Sequence, residues 1–136
     1  MSKTTRPIAS ALLYHRVADP GEEAFPISVG AANFREQMEF VSSLAPLELD
    51  TVSDQLREGR LTDGGIVITF DDGYRDNLTS ALPILEQYGL PTTIFVTTAT
   101  IGTKDAFWWD QLAHIIRQAP GSIGPATLRV GNKEVQ

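Results

Sequence analysis

Along this 136-residue chain the hydrophobic and polar positions fall into alternating strand-like and helix-like blocks. The first apolar block, IASALLYHRV over 8–17, is bounded by Pro7 and by the loop-forming ADPGEEAFP, and predicts a strand. NFREQMEFVSSL over 33–44 switches to helical spacing: Phe34, Met38 and Val41 share a face, with Asn33 as N-cap and Glu36 three positions on. PLEL over 46–49 predicts a short strand, and TVSDQLREG over 51–59 a short helix capped by Thr51 or Ser53 and stopped by Gly59. After the turn DGG at 63–65, IVITF over 66–70 lacks any polar alternation, the pattern of a strand buried on both faces in a parallel sheet. Leu78, Ala81, Leu82, Leu85 and Tyr88 then recur at helical spacing ahead of a C-capping Gly89, with Pro83 either setting the regular start near Ser80 or kinking the helix there. TTIFVTTA over 92–99 predicts another buried strand, and WWDQLAHIIRQ over 108–118 another helix. In the tail, two short segments flanking Gly131 and Asn132 predict a hairpin or the start of an insertion over 119–136. Strands alternating with helices imply right-handed crossovers and a parallel sheet, so the fold class is α/β, as a single domain over 1–136.

Composition narrows the chemistry. A content of 42% hydrophobic and 21% charged residues is that of a folding globular chain. The net charge of −6 argues against nucleic acid or an anionic membrane as the main partner and suits neutral ligands, cationic ligands or metal ions. With no cysteine, disulfides, thiolate zinc sites and a cysteine nucleophile are all excluded, so any metal is held by oxygen and imidazole nitrogen. The early apolar run IASALLY ends at His15 and Arg16 without a cleavage site, and no run reaches the ~20 apolar residues of a membrane span. The expected location is therefore cytoplasmic.

In an α/β fold the chemistry gathers at the C-terminal ends of strands. There, directly after IVITF, stand Asp71 and Asp72. Adjacent carboxylates at the end of a buried strand repel each other and lose hydration unless something compensates. One reading is an N-cap beside a solvated neighbour. A second is a phosphoacceptor aspartate, but the aspartyl-phosphate phosphatases want another Asp two positions after the first, where this chain has Gly73. The third, which we prefer, is a divalent ion bound by one carboxylate while its neighbour acts as base toward water.

YHRV over 14–17, TFDDG over 69–73, YGLPTTIFV over 88–96 and FWWDQLAHII over 107–116, in that order, resemble the polysaccharide deacetylases, the NodB-homology domain of carbohydrate esterase family four. The resemblance runs from about Ala11 to Arg117. It implies a distorted (β/α) barrel, and hydrolysis of N-acetyl, less often O-acetyl, groups on an acetylated glycan or amino sugar with a divalent metal, commonly zinc. Carried over residue by residue, Asp71 is the general base and Asp72 a metal ligand, while Gly73 lets the chain turn close beneath the site. His15, Gly73 and Tyr74 are the second-shell or substrate-binding candidates. The family's His-x-x-x-His motif, its Arg-x-Pro-Tyr segment and its final histidine have no counterpart here, so the match covers the first half of a domain. A complete (β/α) barrel takes about 200 residues or more, and this chain is expected to need a complementing C-terminal fragment or a second copy. The alternative is a non-catalytic remnant or glycan-binding module that keeps the first half of the fold.

Three other features carry structural readings. His114, with Asp110, Gln111, Arg117 and Gln118 around it, is expected on a solvated helix face. Trp108 and Trp109, spaced with Leu112 and Ile116, read as core rather than as a platform for sugar rings. Arg75 and Asp76 read as a loop ion pair.

Overall fold

The run IVITF, with no polar face to expose, becomes the central strand of a parallel sheet. A computed structural model describes residues 8–19, 21, 26–61, 64–118, 128–130 and 133–135. These fall into two units, Met1–Ile101 and Gly102–Gln136. In the first, β1 (Ala9–Tyr14), β4 (Gly65–Phe70) and β5 (Thr93–Ile94) form a sheet in the order β1-β4-β5, both pairings parallel. The register sets Tyr14 beside Phe70 and Phe70 beside Ile94, so the three strands end together. A two-residue ladder joins β2 (Arg16–Val17) to β3 (Ser28–Val29).

Between β3 and β4 lie α1 (Ala31–Ser42) and α2 (Leu49–Arg57), and α3 (Leu82–Tyr88) follows β4. Helices α1 and α3 pack together, and Phe34, Met38 and Val41 of α1 meet Ile68 and Phe70 of β4 and Ile84 and Leu85 of α3 in one core. Tyr14 closes it toward the strand ends. Its ring stacks on Phe70 at 5.4 Å and meets Phe34 edge-on at 5.1 Å, while its hydroxyl donates to Gln37 Oε1 at 2.8 Å. Offset and edge-on pairs of this kind add to burial. Burial raises the Tyr14 phenol above its usual 10.0.

Several expected boundaries move. The N-cap of α1 is Gly30, whose carbonyl accepts from Phe34 N–H at 2.9 Å, so the helix starts before Asn33 and needs no side-chain cap. PLEL is not a strand: Leu47 N–H donates to Ile66 O at 2.7 Å, and the chain leaves the sheet there straight into α2. That helix is capped by Glu48 rather than Thr51 or Ser53. Before α3 comes a π-helical turn, Asn77–Ala81, closed by Leu82 N–H to Asn77 O. This wide turn sets Pro83 in the first turn of α3, where its missing N–H breaks no bond. It also rotates the face: Ala81, Ile84 and Leu85 are buried, while Leu78, expected inside, is 66% exposed. Gly89, at φ 62° and ψ 38°, ends the helix as its left-handed C-cap.

Strand β5 is shorter and more exposed than its apolar run predicts. Instead of a buried strand over 92–99, only Thr93 and Ile94 pair with β4, and Ile94, Phe95 and Val96 are 44–52% exposed. No strand among the described residues pairs with its outer edge.

In the second unit, α4 (Trp108–Gln118) opens within an aromatic run in which Phe107 stacks on Trp109 at 4.7 Å and Trp108 meets Trp109 edge-on. Trp108 is 67% exposed, which overturns its core reading, and Leu112 and Ile116 are exposed as well. His114 is exposed, as its polar neighbours implied. Strands β6 (Leu128–Val130) and β7 (Lys133–Val135) pair antiparallel, Val130 opposite Lys133. No helix among the described residues is long and apolar enough to cross a membrane.

Candidate active site

The parallel register that ends β1, β4 and β5 together brings the loops after them to one place. Asp71 N–H donates to Tyr14 O at 3.0 Å, continuing the β1–β4 ladder one residue past the strand. The chain then reverses. Asp72 has φ 70° and Gly73 φ 71°, and Gly73 N–H returns to Asp71 O at 2.9 Å. A left-handed aspartate is strained by roughly 1–2 kcal/mol relative to ordinary backbone. The turn lies close against the segment after β5: Thr97 N–H reaches Asp72 O at 3.4 Å, and a Cβ on Gly73 would sit 3.1 Å from Val96 Cγ1. Both carboxylates are half-buried at the sheet's C-terminal edge.

His15 stands between β1 and β2, half-buried, one residue beyond the Tyr14 carbonyl that holds Asp71. Tyr74 lies next to the arginine of the same YHRV stretch. The Arg16 guanidinium sits 4.8 Å over the Tyr74 ring, a cation–π distance. Arg16 Nε donates to Asp76 Oδ2 at 2.9 Å, and Val17 N–H to Asp76 Oδ1 at 3.1 Å. The expected Arg75–Asp76 pair is therefore replaced by one reaching across the sheet. Adjacent residues on a helical turn point about 100° apart and do not face each other. Charged residues of opposite sign just after β1 and just before the π turn, Arg16 and Asp76, were the available signal that the two segments meet.

Asp71, Asp72, Gly73 and Tyr74 thus form one turn, with His15 on the neighbouring loop, and His114 belongs to the other unit. Paired carboxylates are oxygen donors suited to a divalent cation. Among the described residues, however, no group of three or more His, Asp or Glu side chains is placed to hold a metal ion. The described residues do not by themselves make a three-ligand site.

The polysaccharide deacetylase family model matches residues 58–129, more than half of the chain, a range that includes β4, the aspartate turn and α3. The chain is 29% identical over 116 residues to YxkH of Bacillus subtilis, a protein assigned to the polysaccharide deacetylases, covering 81% of this chain and 39% of YxkH. It is 30% identical over 84 residues to the poly-beta-1,6-N-acetyl-D-glucosamine N-deacetylase of Escherichia coli K12, covering 60% of this chain and 12% of that protein. In three dimensions it is similar to the deacetylase PplD of Streptococcus pyogenes, with a TM-score of 0.63, 22% identity, and 82% of this chain and 53% of that one covered. The likeness assigns the fold: an α/β chain of the NodB type, whose solved members are (β/α) barrels. The chain spans 39% and 12% of the two curated relatives' lengths.

Proposed function

Since this chain belongs to the polysaccharide deacetylase family, we propose that it forms the N-terminal part of a metal-dependent hydrolase removing acetyl groups, N-acetyl rather than O-acetyl, from an acetylated glycan. The observation carrying this reading is the Asp71–Asp72 turn, two carboxylates held in adjacent positions at a strand end within the family-matched region. In this reading the Asp71 carboxylate takes the proton of the water that attacks the acetyl carbon, and it later returns a proton to the departing amine nitrogen. Asp72, fixed by its backbone, is the residue we assign to holding a divalent ion, zinc by preference. No further ligand joins it among the described residues, and in this reading a complementing segment carrying His-x-x-x-His supplies the others. His15, Gly73 and Tyr74 are the residues we assign to supporting the pair or to touching the substrate.

One finding favours a second reading. The absence of a three-donor group among the described residues suits a non-catalytic remnant or glycan-binding module.

Acetate release from an acetylated chito-oligosaccharide, measured with and without chelator on the chain joined by a complementing His-x-x-x-His fragment, separates the two. We expect activity that chelation removes and zinc restores. Asp71→Asn should abolish turnover with metal content retained, and Asp72→Ala should lower metal content. Glycan binding without acetate release in the completed form would favour the second reading, and activity indifferent to chelators would end the metal mechanism.

A further inference from the structure

Two backbone segments meet at the candidate site, and they are tied on both sides of His15. On one side Tyr14 O accepts from Asp71 N–H at 3.0 Å. On the other Asp76 takes Val17 N–H at 3.1 Å and Arg16 Nε at 2.9 Å through its two oxygens. Val17 is fully buried, so this second tie is anchored in the core. The Asp76 side chain is 14% exposed and that of Arg16 31%, so the ion pair is sheltered compared with the Arg57–Asp54 and Arg60–Glu58 pairs, whose side chains are more than half exposed. Arg16 also covers the Tyr74 ring. A sheltered, two-pronged, charge-assisted contact holds geometry better than a solvated pair does.

We infer that Asp76 is a positioning residue: through Val17 and Arg16 it clamps the His15 segment against the Asp71–Asp72 turn and sets where the imidazole stands relative to the Asp71 carboxylate. The role rests on the proposed reading of Asp71 as the base, because it is that carboxylate whose surroundings the clamp defines. Both oxygens of Asp76 accept a hydrogen bond from the His15 segment. Its effect is therefore transmitted through backbone and Arg16 rather than through contact with the reacting groups.

The chain has two histidines, which makes the test direct. The imidazole carbon–proton spectrum of the full chain contains His15 and, as an internal reference, the exposed His114. At one fixed alkaline pH, Asp71→Asn should displace the His15 ring signals and leave those of His114 in place. In the Asp76→Ala background the same substitution should displace His15 at least about threefold less, the signature of a broken coupling in a double-mutant cycle. Thermal melts establish that each variant is folded. Should Asp76→Ala fail to fold, Asp76→Asn serves, since it keeps an oxygen for Val17 N–H and loses the charge opposite Arg16; reduced displacement there supports the clamp equally. Equal displacement of His15 in the parent and in the folded Asp76 variants, or no displacement in the parent, overturns the inference. Failure of the deacetylase reading shows elsewhere, as absent acetate release in the completed form, and leaves this cycle intact.

Discussion

Asp72 is held at φ 70° with a side chain that glycine would not have to accommodate. If the strain is retained for the sake of the carboxylate, Asp72→Gly should stabilise the folded chain by up to about 1 kcal/mol in urea unfolding while removing the carboxylate the proposal needs. Unchanged or lowered stability would mean that the aspartate side chain stabilises the turn. The neighbouring position behaves oppositely. At Gly73, φ is 71° and an added Cβ meets Val96 at 3.1 Å, so Gly73→Ala should cost about 1–2 kcal/mol in the same measurement. Tyr14 gives a pH signature. Its folded phenol titrates above 10.0 because burial disfavours the phenolate. The folded state therefore holds the proton more tightly than the unfolded chain. The resulting stability is fully present below pH 10.0 and is lost as pH rises through the folded value. Denaturant titrations across that range should show a steeper fall for the parent than for Tyr14→Phe.

At the scale of elements, the π turn decides which residues α3 buries. An uninterrupted helix places Leu78 with Ala81 and Leu85; the extra residue of the turn turns Leu78 outward and brings Ile84, 3% exposed, into the core. Ile84→Ala should then cost about 2–5 kcal/mol, the range for a buried large-to-small change. Leu78→Ala should stay within about 0.5 kcal/mol, as for an exposed position. Chemical denaturation of the two variants checks this, and a reversed order would restore the unbroken helix. The same turn lets Pro83 sit in the chain without breaking a hydrogen bond, so a local irregularity serves both packing and chain geometry.

For the whole chain, the sheet is the unfinished part. Parallel sheets are ordinarily covered on both faces, yet Leu13 of β1 is 56% exposed, and Ile94 and Phe95 at the β5 edge are 44% and 51% exposed. Beside β5 a groove of about 710 Å³ is lined by Leu47, Leu82, Leu90, Ile94, Asn77 and Thr92. The buried amide of Asn77 and hydroxyl of Thr92 find no hydrogen-bond partner among the described residues. Exposed apolar edge and unpaired polar atoms together favour covering by more polypeptide. We therefore expect the chain by itself to associate. Light scattering should report a dimer or larger species, and Phe95→Lys should shift it toward monomer. A stable monomer at high concentration with a cooperative melt would count against this.

Burial periodicity is a local property, and what depended on it was legible in the sequence. The unbroken apolar run 66–70 marked the central parallel strand, and the spacing of Phe34, Met38 and Val41 marked the buried face of α1. Asp71 and Asp72 stood out because carboxylates directly after such a strand need a reason, and the family resemblance of TFDDG agrees with the matched region. Other features depended on where the backbone's unpaired groups found partners. Gly30 and Glu48 took the capping positions because their carbonyls accept from Phe34 N–H and Val52 N–H and so begin the two helices early. The rotation of α3 required a π turn that no hydrophobic pattern announces, and the exposure of β5 and Trp108 could not be inferred from apolar character, which gives a residue's preference and not what covers it. Asp76 found Arg16 sixty positions away rather than Arg75 beside it, because only the parallel register of β1 on β4 brings their two loops together.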